Sequence, residues 1–591
     1  MRHAGQREGS MQGRTTTAEG RGGRRRRPLV LALAVALALV GSGEAFGTGV
    51  ATAAPVGAGV AQAKAGRTGG ASKAKKLPAG PTVRAIPGRT TASLTWAAKK
   101  GAKRYLVELT PVATKATPRP KTRKVTTSRT TIRVTGLRQQ TAYRVRVTVD
   151  RGKRTRPSKT LTVRTSSAAP ARVTARIKPA GTDAVRVSWP RPKRATSVSV
   201  TIAPTAGELG VPGASMTISG ISAWTTSKVV KIPARMRTRI GSTSGNPVHA
   251  RVTVYNSALR WTRSATVSGY AGSPKVRGTT ADRTRVATYN VQLPSVSQSI
   301  RGRSWAARRE AVARAIAKGK PDVVGLQEVG MGVVSPGVRQ YQDLAQLIAP
   351  YGYAWATTTE QINEVRAKPV AQRSFGAHLA YRTATTELLD SGFVNLEEAA
   401  LAYDPTSLWV DSEGEQDIDR FATWALFRDR DSQRVFYAAS VHLKVGETMA
   451  DLLSRDDCAG GLDLFLRRLA SSQGRASAPI VILGDLNSDN VRHPEGAQET
   501  FVAEGYVSSA SAPKRSNMSK ASVNSQALGY PSRPAVWTLG GPRIDYIFAR
   551  GGGGFVSHLN QVVLTRTGTF DERYRGSDHN LQLAVLSLAP R

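Results

Sequence analysis

Between residues 80 and 270 the chain reads with a period of two. "ASLTW" ends at Trp96, "RYLVEL" begins at Arg104, "TTIRVTGL" ends at Leu137 and "AYRVRVTV" ends at Val149. Alternation of this kind puts apolar side chains on one face of a half-buried strand, and turn residues at short spacing predict an antiparallel sandwich over residues 80–166. A weaker series ("AVRVSW" to Trp189, "TSVSVTI", "HARVTVYN" to Asn256) predicts a second sandwich over 169–270. Residues 271–283 read as a linker, and beyond them the texture changes. "RVATYNV" and "DVVGLQEV" (from Asp322) have strand length, and "SWAARREAVARAIAK" between them has helical spacing behind Ser304 as N-cap. Further strands at "HLAYR", "FATWALFRD", "RVFYAASVHL", "IVILGDLN", "IDYIFA" and "HNLQLAVLSL", with helices over 338–348 and 447–470, make 284–590 a mixed α/β domain.

A chain of 591 residues exceeds one core, in keeping with this division. The net charge of +46 divides unevenly: from Thr284 onward there are 33 Lys/Arg and 32 Asp/Glu, before it 53 and 8. The C-terminal half is neutral and the N-terminal half is a polycation. Arg24 to Arg27 followed by the 12-residue apolar run "LVLALAVALALV" and the small-residue stretch Ala51-Thr52-Ala53 predict a signal peptide over 1–54. The run is shorter than the roughly 20 residues of a membrane span, and no later segment is long and apolar enough to be one. The expectation is a secreted or cell-surface chain. Residues 55–79, rich in Ala, Gly, Lys and Ser, predict a flexible basic linker. The single cysteine, Cys458, rules out an internal disulfide and has no sequence neighbours suited to thiol chemistry.

Polar groups recur where the C-terminal strands end. In "VILGDLNSDN" an apolar run from Val481 leads to Asp485 and Asn487, which on an extended strand would share a face. Taken alone this is a turn. Yet Asn290 ends "VATYN", Glu328 ends "VVGLQE", His442 ends "YAASVH", Asp545 sits in "RIDYIF", and Asp578 and His579 open the last strand. Six such strand ends converging on one rim are what a site on a rigid scaffold requires.

The ordered motifs "TYNVQ", "LQEV", "SVHL", "GDLN", "RIDYIF" and "SDHN" resemble the endonuclease/exonuclease/phosphatase superfamily, the deoxyribonuclease-I-like proteins, across residues 284–590. That resemblance implies a four-layer α/β sandwich. Residues 80–166, with a strand Trp and Tyr143 seated after Gly136-Leu137, resemble a fibronectin type III domain, and 169–270 resemble one less closely. The implied fold is therefore one or two all-β fibronectin-like sandwiches followed by the four-layer domain.

The superfamily resemblance implies phosphoester hydrolysis with Mg²⁺ or Mn²⁺. Glu328, Asn290 and Asp578 would be the metal ligands, all with the hard oxygens such ions prefer. His579 would be the general acid or base, oriented by Asp545, with Asp485 on the attacking water. Asn487 would donate to a phosphate oxygen, and His442 would serve the leaving group or phosphate. Arg382, at the end of "HLAYR", would touch phosphate; His378 has no family counterpart and is expected to be structural. Arg308 and Arg309 are structural or rim residues, and Gln292 stands where some relatives carry an acid. The expected activity is a nuclease on DNA or RNA, its basic modules holding nucleic acid or anionic cell-wall polymer. A phospholipid or sphingomyelin phosphodiesterase, with Trp409 in "SLWV" as its membrane contact, a small-molecule phosphatase and a non-enzymatic surface binder are the alternatives.

Overall fold

The computed structural model describes residues 80–590 except 115–119, 151–156, 166–168, 194, 257–259, 295–302, 331, 358–375, 408–419, 492–495, 525–532, 535 and 537–541. The signal peptide and basic linker expected over 1–79, and Trp409, lie outside the described residues. No helix among the described residues is long and apolar enough to cross a membrane.

Residues 83–164 form the first sandwich. Val83–Pro87, Ala92–Trp96 and Thr131–Val134 face a four-stranded sheet of Arg123–Thr127, Arg104–Pro111, Ala142–Asp150 and Leu161–Arg164. The apolar members of each alternating run, among them Leu94, Val107, Leu109, Val145 and Val147, fill the space between the sheets. The Arg138 N–H donates to Tyr143 Oη at 2.8 Å, the corner contact of fibronectin-like sandwiches. In the second sandwich a sheet ordered Met216–Ser222, Ser197–Ala203, Val248–Tyr255, Trp261–Arg263 faces Ser227–Lys231, Ala184–Ser188 and Arg176–Gly181 across a valine-rich core.

Elements of the C-terminal domain are numbered from its start. One sheet runs in the order β3 (Tyr353–Trp355), β4 (His378–Arg382), β2 (Val323–Gln327), β1 (Arg283–Asn290), β13 (Gln582–Ser587), β12 (Gly554–Asn560), β10 (Lys514–Ser516). The other runs β5 (Thr386–Asn395), β6 (Phe421–Asp429), β7 (Val435–His442), β8 (Ile480–Asp485), β11 (Asp545–Arg550), β9 (Val507–Ser508). Central strands are apolar on both faces because both are covered. Val323, Leu379, Phe427, Phe436, Val481 and Leu483 lie between the sheets. Helices α1 (Trp305–Gly319) and α2 (Gln340–Ile348) cover the first sheet. Helices α3 (Leu396–Tyr403), α4 (Met449–Ser472) and α5 (Ala497–Ala503) cover the second. The four-layer expectation holds. Ser304 occupies the N-cap of α1, but its side chain makes no capping bond.

Residues 271–283 are not a free linker. Arg277 exchanges bonds with Gly553 (2.9 Å) and Ser587 Oγ (2.7 Å), and Asp282 is ion-paired with Arg434 at 2.7 Å. The second sandwich is also docked. Arg239, nearly buried, reaches Glu208 at 2.7 Å and Glu499 of α5 at 3.3 Å. Asn246 accepts from Arg543 Nη2 at 2.7 Å, and the Ser508 N–H of β9 donates to Thr243 O at 2.7 Å. Gly245 has φ +68°, and a Cβ there would stand 2.4 Å from the Ala510 carbonyl carbon, so only glycine fits this approach. Arg239→Met would remove the cation shared by Glu208 and Glu499 and is expected to lower unfolding free energy by about 3 kcal/mol. The double variant Arg239→Met/Glu499→Gln should recover part of that loss, measured by denaturant titration.

Candidate active site

The site forms where the C-terminal ends of the central strands meet across the gap between the sheets. In the second sheet His442, Asp485 and Asp545 stand in one register row on β7, β8 and β11. In the first, Asn290 pairs with Gln327 at the parallel ends of β1 and β2, and Glu328 follows. His579 and Asp578 arrive from the turn before β13.

The chain turns sharply at these exits. Gln292 (φ +64°), Glu328 (φ +57°) and Asn487 (φ +47°) are left-handed although none is glycine, and each lies one or two residues past a strand end. Such backbone persists only where the surroundings over-determine it, and it clusters at functional sites. The turn reading and the site reading of "GDLN" are thus both correct: the Asn487 N–H donates to Asp485 Oδ1 at 2.9 Å, an Asx turn that brings the two side chains together.

Three groups of contacts define the geometry. His579 Nδ1 lies 3.0 Å from both Asp545 oxygens, which places its proton on that bond and aims Nε2 at Asp485 Oδ2, 3.8 Å away. Asn290 Nδ2 donates to Glu328 Oε1 (2.8 Å) and Asp485 Oδ2 (3.0 Å), linking the two sheets. Asn487 Nδ2 donates to Leu443 O at 2.9 Å and lies 3.1 Å from His442 Nε2. Burial opposes charge on His579, but Asp545 and Asp485 outweigh it and hold the imidazolium well above the ordinary histidine range. Burial and then Arg420 push His442 the other way, toward the neutral ring.

The structure gathers His579, Asp545, Asp485, Asn487, His442, Glu328, Asn290 and Asp578, and corrects several details. Arg382 is not at the site. It stands beside Asp322 at the far end of β2 from Glu328, ion-paired to it at 3.6 Å. A strand of five residues separates them by about 17 Å, because β4 runs antiparallel to β2 and its Tyr-Arg end points away. Asn290 Oδ1 accepts from the Gln292 N–H at 2.9 Å, while its amide nitrogen bridges the Glu328 and Asp485 carboxylates. Asn487 spends its amide hydrogens on Leu443 and His442, and so orients His442.

Glu328 and Asp578 are the groups suited to a cation. Burial raises Asp578 and the Glu328 charge adds to it. Glu328 is held below the usual carboxylate range, burial being outweighed by the hydrogen bonds from Asn290 and the Leu293 N–H and by the charge on His579. Among the described residues no Lys or Arg is ion-paired with either. Two half-buried carboxylates close enough for the charge of one to raise the other, and with no Lys or Arg ion-paired to either, fit a hard divalent ion. Asp485, Asp545 and His579 also present atoms within 4.8 Å of one another, but the His579–Asp545 bond occupies two of them.

Three residues support the site: Arg308, expected from sequence as a structural or rim residue, and Gln327 and Arg420, for which the sequence suggested no role. Buried Arg308 donates to the carbonyls of Val291, Gln292 (2.6 Å), Leu293 (3.1 Å) and Gly576 (3.1 Å), tying the β1 exit to the turn carrying Asp578. Gln327 bridges the sheets, accepting from Thr288 (3.1 Å) and donating to Ser440 Oγ (3.1 Å). Arg420 donates to the carbonyls of His442 (3.2 Å) and Leu443 (3.1 Å), bringing positive charge to the rim. Only β6–β7 register reveals it. Arg309 pairs with Asp343 at 2.8 Å and is structural. Cys458 is buried, its thiol pushed up by burial and so inert.

Residues 287–579, about half the chain, match the Endonuclease/Exonuclease/phosphatase family, and residues 78–164 match the fibronectin type III domain. The C-terminal domain belongs to the endonuclease/exonuclease/phosphatase family. No curated protein matches the chain. Among solved structures, an endonuclease/exonuclease/phosphatase from Bacteroides vulgatus is 23% identical with TM-score 0.37, covering 52% of this chain and 99% of its own. A mannosyl-6-phosphatase from Bacteroides thetaiotaomicron is 19% identical (TM-score 0.37; 51% and 99%). The human Nocturnin catalytic domain, with bound sulfate, is 16% identical (TM-score 0.34; 52% and 94%).

Within the endonuclease/exonuclease/phosphatase domain, His378 is structural as expected. It is buried between Tyr341 and Trp355, and burial pushes it down to about 4. His558, buried against Ser509, is pushed down to about 3 for the same reason. Both are neutral when folded. Below about pH 6.5 the unfolded chain takes up protons the folded chain refuses, so stability is full above that pH and drains as pH falls toward 4 for His378 and 3 for His558. Between pH 7 and 4.5 each should cost about 2–3 kcal/mol. Urea midpoints for His378→Phe should fall less steeply over that range than those of the parent chain.

Proposed function

We propose that this chain is a secreted, metal-dependent phosphodiesterase acting on nucleic acid, held to polyanions by its basic sandwiches. The observation that carries the reading is the juxtaposition of a carboxylate-held imidazolium, His579 on Asp545, with the carboxylates of Glu328 and Asp578. Phosphodiester hydrolysis needs a charged proton donor and neutralisation of a phosphate, and this juxtaposition supplies the first and invites the second.

Glu328 and Asp578 would hold Mg²⁺ or Mn²⁺, which when bound offsets the charge that builds on the phosphate oxygens. His579, charged at neutral pH, presents its Nε2–H to the substrate as an acid or hydrogen-bond donor. Asp485, pushed up by burial, sits beside it to orient the attacking water. His442, kept neutral and steered by Asn487, and the cationic Arg420 complete the rim that would receive a phosphate. The leader and the charge of residues 54–283 support export and polyanion attachment; neither depends on base sequence.

The full chain should nick supercoiled plasmid with Mg²⁺ and lose that activity in EDTA and in Asp485→Ala. The full chain is the right reagent because cutting at Thr284 would remove the Arg239 and Asn246 contacts. Turnover of a generic phosphodiester or lipid head group without nicking would replace the nucleic-acid reading with one of its alternatives. Asp545→Asn should retain folding and lower kcat by about 10²–10⁴-fold with little change in KM, since it removes the group that holds His579 charged and oriented.

A further inference from the structure

The second sandwich carries an aromatic and cationic surface that the sequence disperses. Trp224 is 72% exposed and Trp261 is 51% exposed. The Arg191 guanidinium carbon lies 3.2 Å from the Trp224 ring centroid, and that of Arg263 lies 4.4 Å from the Trp261 ring. The rings are 37 positions apart in sequence, but sheet register brings them to one end of the same sheet. Ser222, Ser197, Tyr255 and Trp261 form a single row across four strands, and Trp224 follows Ser222 in a tight turn. Three strand spacings put the ends of this row about 14 Å apart.

The docked end of the sheet is the other one, where Pro204 and His249 line a gap shared with Asp489 and Arg543. Six residues of strand separate the ends, about 20 Å. The surroundings are cationic: residues 169–270 hold 15 Lys/Arg and two acidic residues. Both acids are engaged, Asp183 with Arg237 and Glu208 with Arg239. Thr262, beside Trp261, donates to Pro170 O at 2.7 Å, where the chain enters from the first sandwich.

We propose that this surface binds single-stranded nucleic acid, stacking bases on Trp224 and Trp261 while the surrounding Arg and Lys contact phosphates. The ligand must offer flat faces to the rings and negative charge to the cations, and a single strand repeats both at short intervals. Neutral glycans would leave the charge unused. A membrane contact calls for a continuous apolar patch, whereas the row between these rings holds Ser222 and Ser197 beside Tyr255. The inference extends the tethering half of the proposed function and is independent of which bond the active site cleaves.

The test is binding of fluorescein-labelled oligothymidine of about 15 nucleotides to the full chain in EDTA, where hydrolysis is suppressed. An abasic oligomer of equal length supplies the same charge without bases, and phosphatidylglycerol vesicles supply an anionic surface. Trp224→Ala/Trp261→Ala should weaken oligothymidine binding tenfold or more, leave abasic binding within about twofold, and be partly rescued by Phe at both positions. Equal weakening for both oligomers, or none for either, overturns the proposal. Vesicle binding that requires the two rings and that oligothymidine does not compete with also overturns it, and assigns the surface to membrane. A chain that fails to nick plasmid yet passes this test would sink the nuclease reading alone.

Discussion

Everything at the active site depends on two sheets being held close enough to share it. Gly325 sets that distance: a Cβ there would stand 2.6 Å from Leu483 Cβ on the facing strand, so β2 and β8 approach more closely than side chains would permit. One step toward the site, Gln327 donates to Ser440 Oγ and, at 3.3 Å, to Leu483 O. At the rim, Asn290 joins Glu328 to Asp485. The three contacts form a graded series from steric to polar to charged. The Gln327 and Asn290 amides both donate to the opposite sheet, so a shift between sheets would leave both donors unmet together.

The electrostatics follow from that spacing. Asp485 and Asp545, adjacent in register, would repel strongly if both faced water-poor surroundings alone. His579 and the Asn290 amide stand among them and spread the charge, while Glu328 and Asp578 are left as an unbalanced pair at the open edge. The same burial that raises Asp485 and Asp578 lowers His442, so neighbouring groups are shifted in opposite directions within one small volume. That division is what acid–base chemistry on a phosphate requires.

Much of this was legible in the sequence. Strand ends such as His378–Arg382 and Phe421–Asp429 coincide with their apolar runs, because central strands in a four-layer fold are buried on both faces and read as uninterrupted hydrophobic segments. The motif residues were legible because each closes such a run. Arg382 misled because a motif reveals that a residue ends a strand but not which end of the sheet that is; antiparallel pairing of β4 with β2 decided it. Arg420, the left-handed turns and the Trp224–Trp261 row were illegible for a related reason. They are products of register between strands distant in sequence, which local pattern does not encode. Residues 271–283 looked like linker because they lack apolar periodicity, yet Arg277 donates to the Gly553 carbonyl and accepts from the Ser587 hydroxyl, which fastens them to the domain.

That strap has a mechanical consequence. With Arg277 and Asp282 fastened to the edge of the domain and Arg239 locked between Glu208 and Glu499, the second sandwich has no swivel. A chain immobilised through its basic surface would hold its active site at one fixed bearing and stand-off from the anchorage. It would work a narrow annulus of substrate around each point of attachment, and a pull on the anchor would be felt near β11, which carries Asp545 behind Arg543.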